Sequence, residues 1–212
     1  MYSSKKPSPN FIKLENYYKK IHKEGVDNHD PSIIFNGIST MTFADIIKKI
    51  IEKNNIKTLL DYGSGKGDRY FFESDFLNKK YPPLQNYWNI KPTLFDPGVP
   101  FKKPSNHNFD IVISIDVLEH IPLEDLGWVI EEIFNFAKKI VFLNVACYPS
   151  SKVLPNGENA HVSVFPPLWW FGFVSCIASK INKKCFLVCT ASEGNKKKFF
   201  NFAINDKFEN YV

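Results

Sequence analysis

The sequence has no apolar run long enough to cross a bilayer. Its greasiest stretch, FPPLWWFGFVSCIASKI, falls short of the roughly 20 residues a spanning helix needs and carries two prolines near its start. It reads as a core helix, and no stable membrane insertion is expected. Cysteine is scarce. Cys147, Cys176, Cys185 and Cys189 form no Cys-x-x-Cys pair, and no histidine follows them at zinc-finger spacing. Neither a disulfide framework nor a metal site is expected, and free thiols in a reducing compartment are. The amino-terminal MYSSKKPSPN lacks the apolar core of a secretory signal, so a cytoplasmic location is the expectation. Repeats and low-complexity blocks are absent as well. There is no strong charge of one sign: the net charge is +5 and the lysines are scattered, which gives no reason to expect a nucleic-acid partner.

What the chain does have is core material. Apolar residues make up 44% and aromatic residues 16%, enough for one packed domain. Residues 1–40 read as an amino-terminal tail and lid helix, with the main domain over 41–212; residues 1–10 read as a frayed end. FIKLENYYKKIHKE has helical spacing through Ile12, Tyr17, Tyr18 and Ile21, and a loop over Gly25 to Pro31 follows. TMTFADIIKKIIEKNN is a clearer helix, with Thr42 as its cap and Asp45 as a capping-box partner. IKTLLDY and KPTLFDPG are short strands, FDIVISID is a strand buried on both faces, and IVFLNVA is another. LEDLGWVIEEIFNFAKK is an amphipathic helix between the last two. KCFLVCTAS and KKFFNFAIN alternate around EGNK, as an antiparallel hairpin does. Strands alternating with helices predict an α/β fold, a mostly parallel sheet ending in that hairpin.

TLLDYGSGKGDRY puts Gly63, Gly65 and Gly67 at every second position where a strand should become a helix. Glycine has no Cβ, so the backbone there can turn sharply or approach a ligand closely. P-loop spacing fails because Lys66 is followed by Gly67, and the dinucleotide fingerprint fails at Asp68. A structural turn is the plain alternative. Asp61, Asp96 and Asp116 each close a strand, and the carboxyl ends of such strands meet in one crevice. Three acids there suit a ligand with an ammonium group and ribose hydroxyls and repel a bare pyrophosphate.

LLDYGSGKG resembles the first motif of the class I S-adenosylmethionine-dependent methyltransferases. FDIVISIDVLEHIP is similar to their motif after the fourth strand, in its Asp-Val-Leu-Glu-His form. The resemblance covers residues 40–146 and implies a Rossmann-like sheet binding S-adenosylmethionine. By that resemblance Tyr62, Gly63, Ser64 and Gly65 pass under the cofactor, and Asp61 anchors the loop and approaches the methionine ammonium. Asp96, followed by Pro97, accepts from the ribose hydroxyls, while Asp116, Val117 and Leu118 lie along the methionine. Phe35 and Gly37 are candidate lid contacts. The stretch from Asp96 to Phe109 is too short for a helix and a strand, so the family's third edge strand is missing and about six strands remain. With it goes the usual adenine contact, for which Phe101 in PGVPF is a candidate replacement.

Methyl transfer needs orientation and a proton acceptor. His120, just after the fourth strand, and His161, in the long loop after the fifth, are the candidate bases. Each has a purely structural alternative as a loop residue. Tyr148, Lys152 and Asn159 are candidate substrate contacts. The chain has no Asn/Asp-Pro-Pro-Tyr/Phe motif and no Pro-Cys after the fourth strand, which disfavours base methylation. The expected acceptor is an O or N of a small metabolite or glycan precursor. RNA or protein methylation and a non-catalytic binding module are the alternatives. A dehydrogenase is a poorer match, and the oligomeric state is left open.

Overall fold

The computed structural model describes residues 1–25, 31, 34–105, 108–194 and 196–206. Helix α1 (Pro9–Glu24) leads into a short α2 (Ile38–Met41) and α3 (Ala44–Lys53). Strand β1 (Leu59–Tyr62) is followed by the single turn α4 (Asp68–Phe71), a small hairpin of β2 (Ser74–Phe76) and β3 (Lys79–Tyr81), and the turn α5 (Leu84–Tyr87). Then come β4 (Thr93–Phe95), β5 (Phe109–Ile115), a 3-10 turn over Leu118–His120, α6 (Leu123–Phe136), β6 (Ala137–Ala146), α7 (Pro167–Ile181), β7 (Lys184–Glu193) and β8 (Lys196–Ile204).

Six strands form one sheet in the order β4-β1-β5-β6-β7-β8, parallel except for β8, which pairs antiparallel with β7. The molecule is thus α/β with a mostly parallel sheet and a closing hairpin, compatible with a Rossmann-like fold. Alternation explains the two covered faces. Val141, Leu143, Val145, Cys185, Leu187 and Cys189 face one core with α6 and α7, whereas Ile140, Phe142, Phe186 and Val188 face the other with α3. Residues one apart point to opposite faces, so a strand buried on both reads as a continuous apolar run. Between Asp96 and Asn108 the described residues contain no helix or strand, and the sheet has the six strands expected.

The expectations at the amino-terminal side need correction. Residues 8–10 are not frayed: buried Ser8 caps α1 by accepting from the Phe11 amide, and its own amide donates to Asp125. Of the expected face Ile12 is exposed, Tyr17 and Tyr18 are half-buried and Ile21 is buried; Leu14, seven residues or two turns before Ile21, is the buried partner on the same stripe. Thr42 does not cap α3. It ends α2, Phe43 takes the cap position without a side-chain bond, and Asp45 turns to Lys79 and Tyr87. The capping pattern was outcompeted by a cation and a phenol supplied by β3 and α5. The loop expected over Gly25 to Pro31 falls largely outside the described residues. Among the described residues no helix is long and apolar enough to cross a membrane.

Candidate functional site

The chain runs from β1 outward to β4, then returns to β5 on the other side of β1. The strand order reverses there, the place where open α/β sheets leave a crevice beyond their carboxyl ends. A cleft opens at this point, bounded by α1, the segment 35–40, the turns after β1, β4 and β5, and the loop 150–161.

All three glycines of the turn after β1 have positive φ: 87° at Gly63, 56° at Gly65 and 71° at Gly67. Their missing Cβ atoms make room for the protein itself. A Cβ would stand 2.3 Å from Val117 Cγ2 at Gly63, 2.2 Å from the Phe35 carbonyl oxygen at Gly65 and 2.4 Å from Leu94 Cδ1 at Gly67. The Phe35 carbonyl accepts from the Lys66 amide at 2.9 Å, so the segment ahead of α2 is stitched onto the turn. Phe35 has φ 53°, an unusual backbone state for a bulky residue. Gly63 and Gly65 still line the cleft, as do Tyr62 and Ser64.

Of the three strand-ending acids, two reach the cleft. Asp96 lines it beside Pro97; its Oδ2 accepts from the Gly65 amide at 2.9 Å and its Oδ1 from the Gly98 amide at 2.7 Å. Asp61 is buried below the cleft and accepts from the Tyr70 hydroxyl at 2.7 Å. Burial pushes its pKa up to about 7; the Tyr70 bond works against this and the Asp96 charge adds to it.

The turn after β5 concentrates ionisable groups. Asp116 lines the cleft in a left-handed conformation, φ 61°, and its Oδ2 accepts from Ser39 Oγ at 2.9 Å. Glu119 is fully buried. Its Oε1 accepts from the Ala146 amide at 2.5 Å, and its Oε2 has no donor. Burial first, and then the Asp116 charge, push the Glu119 carboxyl well above the usual range. His120 sets its Nδ1 2.7 Å from the Tyr18 hydroxyl and 2.9 Å from the Ala160 carbonyl oxygen. A carbonyl only accepts, so Nδ1 carries the proton and Nε2 is bare. Burial, helped by His161, lowers its pKa to about 4, which leaves it neutral at pH 7. His161 Nδ1 stands 2.6 Å from the Tyr148 carbonyl oxygen, which selects the same tautomer. The two imidazoles meet edge to face, 4.8 Å apart between centroids. One ligand atom each from Asp116, Glu119 and His161 lies within 4.8 Å of the others, a set able to hold a metal ion.

Phe35, Gly37, Tyr62, Gly63, Ser64, Gly65, Asp96, Pro97, Asp116, Val117, His120, Lys152 and His161 therefore share one cleft. Asp61 and Leu118 lie beneath it, Leu118 fully in the core. Tyr148 and Asn159 support rather than line it. Tyr148 offers its carbonyl to His161; Asn159 brackets the Ser150 backbone through both side-chain atoms and accepts from the His161 amide. Phe101 is not part of the lining. Sequence reasoning missed Ser39 as the partner of Asp116, Tyr18 as the partner of His120, and the free oxygen of Glu119. The first two pairs span 77 and 102 residues, beyond any local pattern. Compared with known proteins, the chain matches no family model and no curated protein.

Proposed function

We propose that the protein is an S-adenosylmethionine-dependent methyltransferase with a Rossmann-like methyltransferase sheet, acting on an O or N of a small metabolite or glycan precursor. One observation carries the reading. The acid at the end of β4 and the glycine turn after β1 face the same cleft as two imidazoles, each with its Nδ1 at a backbone carbonyl oxygen. The residues fit the cofactor. Asp96 spends one oxygen lone pair on each of two amides, and an ionised carboxylate offers about four, so acceptor capacity is left for two ribose hydroxyls. Asp116 adds negative charge to the same cleft, which favours a cationic ligand there. When bound, the cofactor supplies the electrophilic methyl group.

The chain's own groups do the rest. Phe35 and α1 close one side of the cleft, which limits water and strengthens the electrostatics inside. Tyr18 and the Ala160 carbonyl hold the His120 ring by Nδ1, so Nε2 keeps one direction and can take the proton that the acceptor loses. The neutral state of His120 at pH 7 keeps that nitrogen available.

Calorimetric titration with S-adenosylmethionine and with NAD, on the wild type and on Asp96→Ala, tests the reading. Binding of S-adenosylmethionine alone, lost in a variant that keeps its circular dichroism, is the expected result. No binding by the wild type sinks the proposal.

A further inference from the structure

We propose that Asp116, Glu119 and His161 bind a divalent cation at the floor of the cleft, and that this ion takes an oxygen of the methyl acceptor. The ion site stands on its own geometry, while the assignment of the acceptor rests on the methyltransferase reading.

Oxygen and nitrogen ligands about 2.1 Å from one ion are at most about 4.2 Å apart. The three donor atoms lie within 4.8 Å of one another, and three ligands on one ion stand about 3.0 to 3.6 Å apart, so shifts of up to about 0.7 Å at each close the set. Glu119 gives the strongest pointer. A fully buried carboxyl that satisfies one oxygen with the Ala146 amide and leaves the other without a donor is costly. Beside the Asp116 carboxylate it needs either a proton between the two groups or a cation. The other two ligands are already oriented from behind. The Tyr148 carbonyl holds His161 by Nδ1, which leaves Nε2 to serve as the ligand, the arrangement that metal-bound histidines use. Ser39 holds one oxygen of Asp116. Two carboxylates and one imidazole are hard to borderline donors, suited to magnesium, manganese, iron or zinc rather than to a thiophilic ion.

Within that set a hard ion, magnesium or manganese, prefers oxygen, and with it the acceptor is a hydroxyl rather than an amine. His161 is then a ligand, and His120 Nε2 is left as the proton acceptor. The hydroxyl O–H bond breaks with its proton passing to His120. The O–CH3 bond forms as the S–CH3 bond breaks, and the pair stays on sulfur.

The test uses the full chain with Mn2+ alone. Free manganese is read by electron paramagnetic resonance, and bound manganese by nitrogen hyperfine coupling in a pulsed experiment. One retained ion per chain with nitrogen coupling is expected. Affinity should fall at least about tenfold in Glu119→Gln and in His161→Asn, and hold in Asp45→Asn, whose carboxyl serves Lys79 and Tyr87. No retained manganese, or retained manganese without nitrogen coupling in the wild type, overturns the site even if a variant fails to fold. A chain that binds S-adenosylmethionine but no manganese loses the ion and keeps the methyltransferase reading. A chain that binds manganese but no S-adenosylmethionine keeps the ion site and loses the acceptor assignment.

Discussion

The turns after β1 and β5 end neighbouring strands at the same edge of the sheet, yet they are built on opposite terms. The β1 turn is closed in on itself. Val117, the Phe35 carbonyl and Leu94 fill the space its glycines leave open, and its acid, Asp61, is capped by Tyr70. The β5 turn is left open. Glu119 keeps one oxygen without a donor, and His120, held by its Nδ1, lines the cleft. A conspicuous motif is therefore not the same thing as a reactive one. The glycines shape the walls, and the unspent polar atoms sit one strand over.

That contrast predicts that changes in the β5 turn strike activity and changes in the β1 turn strike stability. The largest effect is expected for His120→Asn: methyl transfer slowed roughly a hundred- to ten-thousandfold with S-adenosylmethionine affinity unchanged, as single-turnover rates beside calorimetry will show. If the rate holds, His120 is no more than a loop residue and the comparison breaks. Next comes Gly65→Ala. A Cβ 2.2 Å from a backbone oxygen, at φ 56°, has no soft neighbour to displace, and a loss of about 3 kcal/mol is expected in urea unfolding. A near-wild-type midpoint would mean that the segment around Phe35 yields easily and that the β1 turn is not closed.

The third prediction concerns pH. Burial raises Asp61 from 3.8 to about 7, so the folded chain keeps a proton there that the unfolded chain releases. Between about pH 4 and pH 7 this makes stability fall as pH rises, and the fall levels off above the folded value. In Asp61→Asn that contribution is gone, while an amide oxygen still accepts from Tyr70. Melting temperatures of variant and wild type should converge near pH 4 and separate toward pH 7 in the variant's favour. Curves that stay parallel across the window would mean that Asp61 is ionised in the fold.

The sequence by itself determined the layers. Short continuous apolar runs read as central strands buried between helices, and alternation around a turn reads as a hairpin, so the α/β class and the closing hairpin were legible in local patterns. It also marked Asp96, Asp116, His120 and His161 as candidates, because strand ends and the loops after them must meet at one edge. Only the tertiary structure decided which polar atoms are spent and which are free. Asp61 and Glu119 are both acids at this edge, but Tyr70 caps the first, and the second is left with an oxygen without a donor beside the Asp116 carboxylate. Thr42 and Asp45 show the same limit, since a capping pattern yields once β3 and α5 bring Lys79 and Tyr87 into reach. A hydrogen bond is a matter of a few ångströms between residues that lie tens of positions apart in the chain, and packing alone brings them that close.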